Sequence, residues 1–304
     1  MTITVTEYTD PCCSWAWGTE PKLRKFRWQF ADRMQWRTVM GGLVDDASGN
    51  WVGVTTEVAA SKLAHYWSKV TAVTTMPYPV RLQWPPLTSN AMGQAVCAAR
   101  LQGDKPAAAL LRRLREGVFV LGVPGDTWER ILQLAVTVPE LEFERFETDL
   151  RGEAAAAWWD SDWQETRRPN EFARTLTGDR MGLGEAKPDG EHLRYAFATL
   201  VITGPDGEAT VPGWRDEFEY LEAFEAAEVG ITAQPLALPT ADEALAMYGV
   251  LAPAELEALT GAETAPTDAL SFDWGAGEIH VRADVAEVWR KAGWWHGGSS
   301  SAAS

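Results

Sequence analysis

The first 45 residues set out a strand, a cysteine-bearing turn, a helix and a second strand, and this order limits the fold more than any later segment does. Residues 3 to 9, ITVTEYT, are β-branched and aromatic enough to read as a strand that Asp10-Pro11 stops. PKLRKFRWQFADR then carries apolar residues at helical spacing, and QWRTVMGGL, residues 35 to 43, reads as the next strand. A helical crossover between two strands of one sheet makes them parallel. The turn DPCCSWAWG, residues 10 to 18, therefore lies at the carboxyl end of the first strand, the edge where ligands and chemistry collect in open α/β sheets.

That turn holds Cys12 and Cys13, two of the three cysteines in 304 residues. So few, in an odd number, do not make the disulfide framework of a small secreted domain; free thiols, metal ligands or catalysts are expected instead. No run approaches the roughly 20 apolar residues of a spanning helix, and the N-terminus lacks a charged segment leading into an apolar one. The expected compartment is the cytoplasm, with no membrane partner. Acidic residues number 43 against 27 basic, for a formal charge of -16, and only 7 of the basic residues are lysines. Nucleic acid is a disfavoured partner for such a surface.

From about residue 55 the apolar period becomes helical, in VAASKLAHYWSKV, NAMGQAVCAARLQ, AAALLRRLREGVFV, DTWERILQLAV and LEFERFETDL. A proline-rich connector, MPYPVRLQWPPLTS, interrupts this block, with Ser89 or Asn90 available as an N-cap. Strand signals return at ATLVITG and EATVPGW, joined by the turn residues PDG, and the helix RDEFEYLEAFEAAE follows. The predicted architecture is α/β: a thioredoxin-like fold with an inserted all-helical domain and a C-terminal extension. Residues 1–54 and 190–228 would form the discontinuous thioredoxin-like domain, 55–189 the insertion, and 229–296 the extension, before a disordered tail at 297–304. In the extension, ADEALAMYGV, APAELEALTG and ADVAEVWRKA are the segments that stand out.

YTDPCCSWAWGTEP, WRTVMGGL, MPYPVRLQWPPLTSNAMGQAVCAARLQ and FATLVITGPDGEATVPGWR together resemble the cytoplasmic branch of the DsbA-like thioredoxin-fold proteins, which includes FrnE-like and YjbH-like members. The resemblance spans residues 1 to about 228. It implies dithiol-disulfide exchange through a C-x-x-C at the turn, yet here the four positions are Cys13, Ser14, Trp15 and Ala16, so the second cysteine is replaced. It also implies a cis-proline just before the strand FATLVI, where this chain has Ala198 after Phe197. Because a cis bond before a non-proline residue costs about 2.5–4 kcal/mol, a trans peptide is expected there. Pro212 follows the second hairpin strand and is expected to end it.

At the start of a helix, Cys13 should meet unpaired N–H groups and a positive dipole end, which favour the thiolate; the carboxylates of Glu7, Asp10 and Glu20 act the other way. The predicted chemistry is monothiol exchange, with Cys13 as nucleophile and either an external thiol or Cys12 resolving the adduct. A Cys12–Cys13 bridge would be strained, since adjacent Cα atoms lie about 3.8 Å apart, below the usual disulfide range. Ser14, Trp15, Trp17, Phe197 and Ala198 are the candidate substrate-binding residues, with Trp15 and Trp17 forming an apolar rim and Ser14 a hydrogen-bond donor to the sulfur. The expected partner is a small-molecule thiol or disulfide, with a protein substrate as a further option, and no cofactor.

Alternatives remain beside this reading. Cys12 can be a core residue and Cys13 a vestige, which would make the chain a non-catalytic adaptor or ligand-binding module. Cys97, among small apolar residues on a helix, is expected to pack. His65, His192, His280 and His296 are scattered without ligand spacing, so no metal site is assigned, although His192 lies six residues before Ala198. Arg167 and Arg168 read as a solvated basic face in preference to an anion clamp.

Overall fold

In the computed structural model, residues 3–47, 52–79, 82–262, 264–273 and 278–295 are described. Strand β1 (Ile3–Thr9) runs to the cysteine turn, α1 (Ser14–Gln29) crosses one face, and β2 (Met34–Met40) returns parallel to β1 with Ile3 opposite Met34 and Thr9 opposite Met40. Helices α2 (Thr56–Thr74), α3 (Asn90–Arg100), α4 (Asp104–Glu116), α5 (Trp128–Ala135), α6 (Phe143–Asp149), α7 (Glu153–Thr166) and α8 (Glu171–Thr175) follow. A short hairpin, β3 (Lys187–Asp189) with β4 (His192–Arg194), leads into β5 (Thr199–Gly204) and β6 (Gly207–Val211). Gly204 faces Gly207 across the predicted turn, leaving Pro205 and Asp206 at its tip, and Pro212 comes directly after β6. The sheet order is β2-β1-β5-β6, with β5 antiparallel to both neighbours, so the fold is α/β with a thioredoxin-like sheet.

The interior position of β1 explains its composition. Ile3 and Val5 point to one face, against Leu23, Phe26 and Phe30 of α1 and against Tyr220 and Phe224 of α9 (Glu217–Ala227). Tyr8 points to the other face, with Val39, Val201 and Tyr195. This is the two-residue alternation of a strand covered on both sides. The helices after β2 share a separate core in which Met92, Val96, Leu110, Leu114, Phe119 and Phe146 are fully or almost fully buried.

The C-terminal segment combines helices with strands. Helices α10 (Ala241–Tyr248), α11 (Pro253–Thr260) and α12 (Ala283–Lys291) surround a three-stranded sheet of β7 (Val250–Leu251), β8 (Ala269–Asp273) and β9 (Glu278–Arg282), in the order β7-β9-β8. Strands of two and five residues are too short to display a period against their flanks. Helix α11 packs on α1, which ties this segment to the thioredoxin-like sheet. The expected tail at 297–304 and His296 lie outside the described residues. Among the described residues no helix is long and apolar enough to cross a membrane.

Candidate functional site

Asp10 organises the end of β1. Its carboxylate is fully buried and accepts hydrogen bonds from the Cys12 N–H at 2.7 Å, the Leu43 N–H at 2.7 Å and the Ser89 hydroxyl at 2.8 Å. One side chain therefore fixes the cysteine turn, the exit of β2 and the start of α3. Ser89 does occupy the N-cap position of α3, but its hydroxyl accepts from the Val44 N–H and donates to Asp10 instead of capping. Burial raises the Asp10 pKa above the usual carboxylate range, against the lowering effect of these hydrogen bonds and of Arg194.

Cys13 is the N-cap residue of α1, in extended conformation, so its sulfur stands where the sequence predicts. Its electrostatics differ from the prediction. The residue is only 6% exposed, and burial pushes the thiol up to about 11. The N–H groups of Ala16 and Trp15 and the charge of Arg194 oppose this, while Asp10 adds to it. The expectation of an acidic sulfur is therefore corrected: the helix terminus acts in the predicted direction, but loss of hydration outweighs it. The thiol donates to the backbone oxygen of Phe197 at 3.5 Å. Glu7 and Glu20, named in the sequence as opposing charges, are bound by arginines elsewhere.

The peptide bond between Phe197 and Ala198 is cis, which corrects the expected trans bond. The local preference for trans is overridden by the tertiary setting: β5 is fixed in the sheet, the Thr199 hydroxyl donates to the Ala196 carbonyl at 2.7 Å, and the Tyr195 N–H donates to Thr166 at 2.9 Å. The Phe197 ring lies over Gly41 at the end of β2, where an added Cβ would come within 1.8 Å of its Cζ atom. Glycine is required there by close approach.

A cavity of about 650 Å³ opens beside the turn, lined by Cys12, Cys13, Ser14, Trp15, Ala196 and Phe197 on the sheet side, by Tyr66 and Trp67 of α2, and by Arg180, Lys187 and Arg194. Five of the seven candidate residues thus share one cavity. Ala198 is buried behind Phe197 and does not line it. Trp17 is not at the rim: it is 3% exposed, donates from its indole N–H to Pro77 at 2.7 Å and stacks on Phe119. Two residues along a helix face different sides, so Trp15 and Trp17 cannot both border one opening. Cys12 is also buried against the helical core, with its thiol raised well above the ordinary value by burial and then by Asp10. Cys12, Cys13 and Cys97 are all free thiols.

Arg167 is neither a solvated residue nor a ligand clamp. Its side chain is 6% exposed, donates to the Gly41 carbonyl, pairs with Asp189 at 2.5 Å and covers the Trp163 ring. Cys97 packs in the helical core with its thiol 3.7 Å from Asp162. His192 is exposed on β4, and among the described residues no group of three or more metal-ligating side chains is clustered. The sequence did not mark Asp10 as an organising group, nor Arg194, nor the lining residues Tyr66, Trp67, Arg180 and Lys187. Asp10 had a signal in its place beside the cysteines; Arg194 is 181 positions from Cys13 and had none.

Among curated proteins, the ClpXP adapter protein SpxH of Halalkalibacterium halodurans is 30% identical over 165 residues, and the match covers 53% of this chain and 53% of that protein. The SpxH protein of Shouchella clausii is 27% identical over 159 residues. The chain thus spans about half the length of the curated relatives it matches. Two solved structures share the fold. One, from Nitrosomonas europaea and provisionally described as a protein disulfide isomerase, has a TM-score of 0.55 at 13% identity and covers 74% of this chain and 97% of its own. The other, provisionally described as a DsbA oxidoreductase of Streptomyces coelicolor, has a TM-score of 0.50 at 17% identity and covers 78% and 94%. A family model described as thioredoxin matches residues 7–169, from inside β1 through the cysteine turn to the end of α7, and the chain belongs to that family, with a DsbA-like fold.

Proposed function

We propose that the chain performs thiol-disulfide exchange at a single cysteine. The Cys13 thiolate attacks one sulfur of a bound disulfide, a mixed disulfide forms on Cys13, and the other half leaves as a thiolate. A small external thiol then attacks the mixed disulfide, leaves with the bound half as a new disulfide, and returns Cys13 to its reduced form. Over the cycle one substrate sulfur is reduced to a thiolate and the sulfur of the external thiol is oxidised into the new disulfide, so the external thiol supplies the electrons. The observation carrying this reading is the position of the Cys13 sulfur: at the start of α1, on the wall of the cavity, with the Ala16 and Trp15 N–H groups and Arg194 favouring its ionised form. Ala16 removes the resolving cysteine, and Cys12 is held in the core. The insertion would supply the second wall through Tyr66 and Trp67, and a reducing cytoplasm would supply the thiol.

With the thiol near 11, only a minor fraction is ionised at neutral pH. The greater nucleophilicity of a high-pKa thiolate, with a Brønsted slope of about 0.4–0.5, recovers part of the rate. Reaction of the folded chain with a small aromatic disulfide should therefore accelerate as pH rises from about 7 to 10. The mass of one adduct should map to Cys13, and Cys13→Ser should abolish it while Cys12→Ser leaves it in place. A Cys13 thiol that stays unmodified throughout that range in the folded chain, yet reacts once unfolded, defeats this proposal.

That outcome would favour a second reading, a non-catalytic adaptor whose cavity and sheet edge hold a segment of a partner protein. The low exposure of Cys13 and the relationship to SpxH, an adapter protein, support it.

A further inference from the structure

The cavity beside Cys13 is walled mostly by carbon. Trp15, Leu63, Tyr66, Trp67, Met181 and Leu183 line it together with the sulfur. Two of these six stand half in water, Tyr66 at 50% exposure and Met181 at 52%. Large apolar side chains left wet on the lining of a concave site gain free energy when an apolar ligand covers them.

The apolar wall is built before any ligand arrives. Gly182, in the loop between α8 and β3, has a φ of +73°, and a Cβ there would come within 2.9 Å of the Trp15 ring. The Gly182 carbonyl accepts from the Trp214 N–H at 2.9 Å, and the Leu183 carbonyl accepts from Arg215 at 2.7 Å. The loop is thereby fixed against Trp15. On the α2 side, Trp67 meets Phe119 edge to face, with ring centroids 5.4 Å apart. A ligand seated between such walls has little side-chain order left to impose.

The three basic side chains of the lining are engaged within the protein. Lys187 pairs with Glu185, and Arg180 lies 4.0 Å from Glu219, which also holds Arg215. Arg194 donates to the Tyr195 carbonyl at 2.9 Å, covers the Phe197 ring at 4.7 Å, and acts electrostatically on the buried Asp10. A charged group on a ligand would have to displace one of these contacts, whereas an apolar group needs only to shed water.

Resting on the exchange chemistry at Cys13, we propose that its substrate is a small, uncharged disulfide with a bulky apolar group of the benzyl type. The group seats against Trp15, Tyr66 and Met181, which brings the sulfur bonded to it up to Cys13. The volume of about 650 Å³ falls within the roughly 300–1,000 Å³ of small-molecule sites, and ring contacts with the indole and phenol walls suit an aromatic group.

Four methanethiosulfonates test this, carrying benzyl, methyl, 2-sulfonatoethyl and 2-(trimethylammonio)ethyl groups. With each, the Cys13 thiolate attacks the sulfenyl sulfur, a mixed disulfide forms, and methanesulfinate leaves with the electron pair, so only the transferred group differs. Rate constants for the folded chain at one pH, with the adduct mapped to Cys13 by mass, are divided by those for 2-mercaptoethanol to cancel intrinsic reactivity. The benzyl ratio should exceed the methyl ratio and both charged ratios by about tenfold or more. Tyr66→Ser and Met181→Ser, at half-exposed positions on which the core does not depend, should each lower the benzyl-to-methyl ratio by about threefold. A benzyl ratio no greater than the methyl one, a charged reagent that matches benzyl, or a benzyl-to-methyl ratio unchanged in both variants overturns this inference and leaves exchange at Cys13 standing. Absence of an adduct with all four reagents, methyl included, defeats the exchange itself and this inference with it.

Discussion

The start and the middle of α1 are both buried, yet they hold opposite charge states. At its start, Cys13 and the neighbouring Asp10 are pushed toward their neutral forms by burial, with Arg194 as the charged group that opposes it. Seven residues along, Glu20 suffers the same burial, but Arg115, Arg24 and Arg112 outweigh it and hold its pKa at about 2. Burial thus sets the cost of a charge, while the number of partners within contact decides whether the charge is kept. The start of the helix stores a neutral thiol beside a cavity; its middle ties β1, α1, α4 and α11 together through ions.

The largest test of this contrast removes a partner from the ionic network. Glu20→Gln leaves Arg115 and Arg24 undercompensated and should cost about 3–5 kcal/mol in urea unfolding. A loss below about 1 kcal/mol would mean that the network behaves like a surface pair. Acid titration gives the next effect. Because the folded pKa of Glu20 lies below its unfolded value, its contribution is present above about 4.5 and is lost as pH falls toward about 2. That loss amounts to about 3 kcal/mol. Asp10 has the opposite sign: its raised folded pKa gives a contribution present below the unfolded pKa and lost as pH rises through the folded one. In Glu20→Gln the acid-side decline should flatten, and in Asp10→Asn it should steepen; unfolding curves at a series of pH values would read both.

The cysteine end is held by packing, and its perturbations are smaller. Gly41→Ala drives a methyl group into the Phe197 ring and should cost about 1–3 kcal/mol, visible as a lowered Tm. The smallest expected change is electrostatic. Arg194→Gln removes the cation that favours the Cys13 thiolate and should slow alkylation at fixed pH by about threefold. An unchanged alkylation rate would show that this guanidinium is screened from the sulfur, and the contrast between the start and the middle of α1 would then rest on Glu20 alone.

Local patterns were enough to read the thioredoxin-like sheet. Alternation and β-branching mark ITVTEYT, helical periodicity marks the segment after it, and PDG marks the β5–β6 turn, because each is a property of neighbouring residues. The strands β3, β4 and β7 to β9 were missed because short segments carry no measurable period. At the site, adjacency identified Cys13 and its place at the start of α1. It misassigned Trp17, whose indole turns to Pro77, and the Phe197–Ala198 bond, whose isomer is selected by the surrounding sheet and loop.

The sequence by itself determined the order of elements in the thioredoxin-like sheet, the crossover that brings Cys13 to the sheet edge, and the alanine at position 16 in place of a second C-x-x-C cysteine, since these follow from residue identity and short-range spacing. Only the tertiary structure decided the charge at each position. The approach of Arg115 to Glu20 across 95 residues, and of Arg194 to Cys13 across 181, depends on how distant segments pack. Electrostatic energy follows distance in space and exposure to water, and neither is encoded in the separation along the chain.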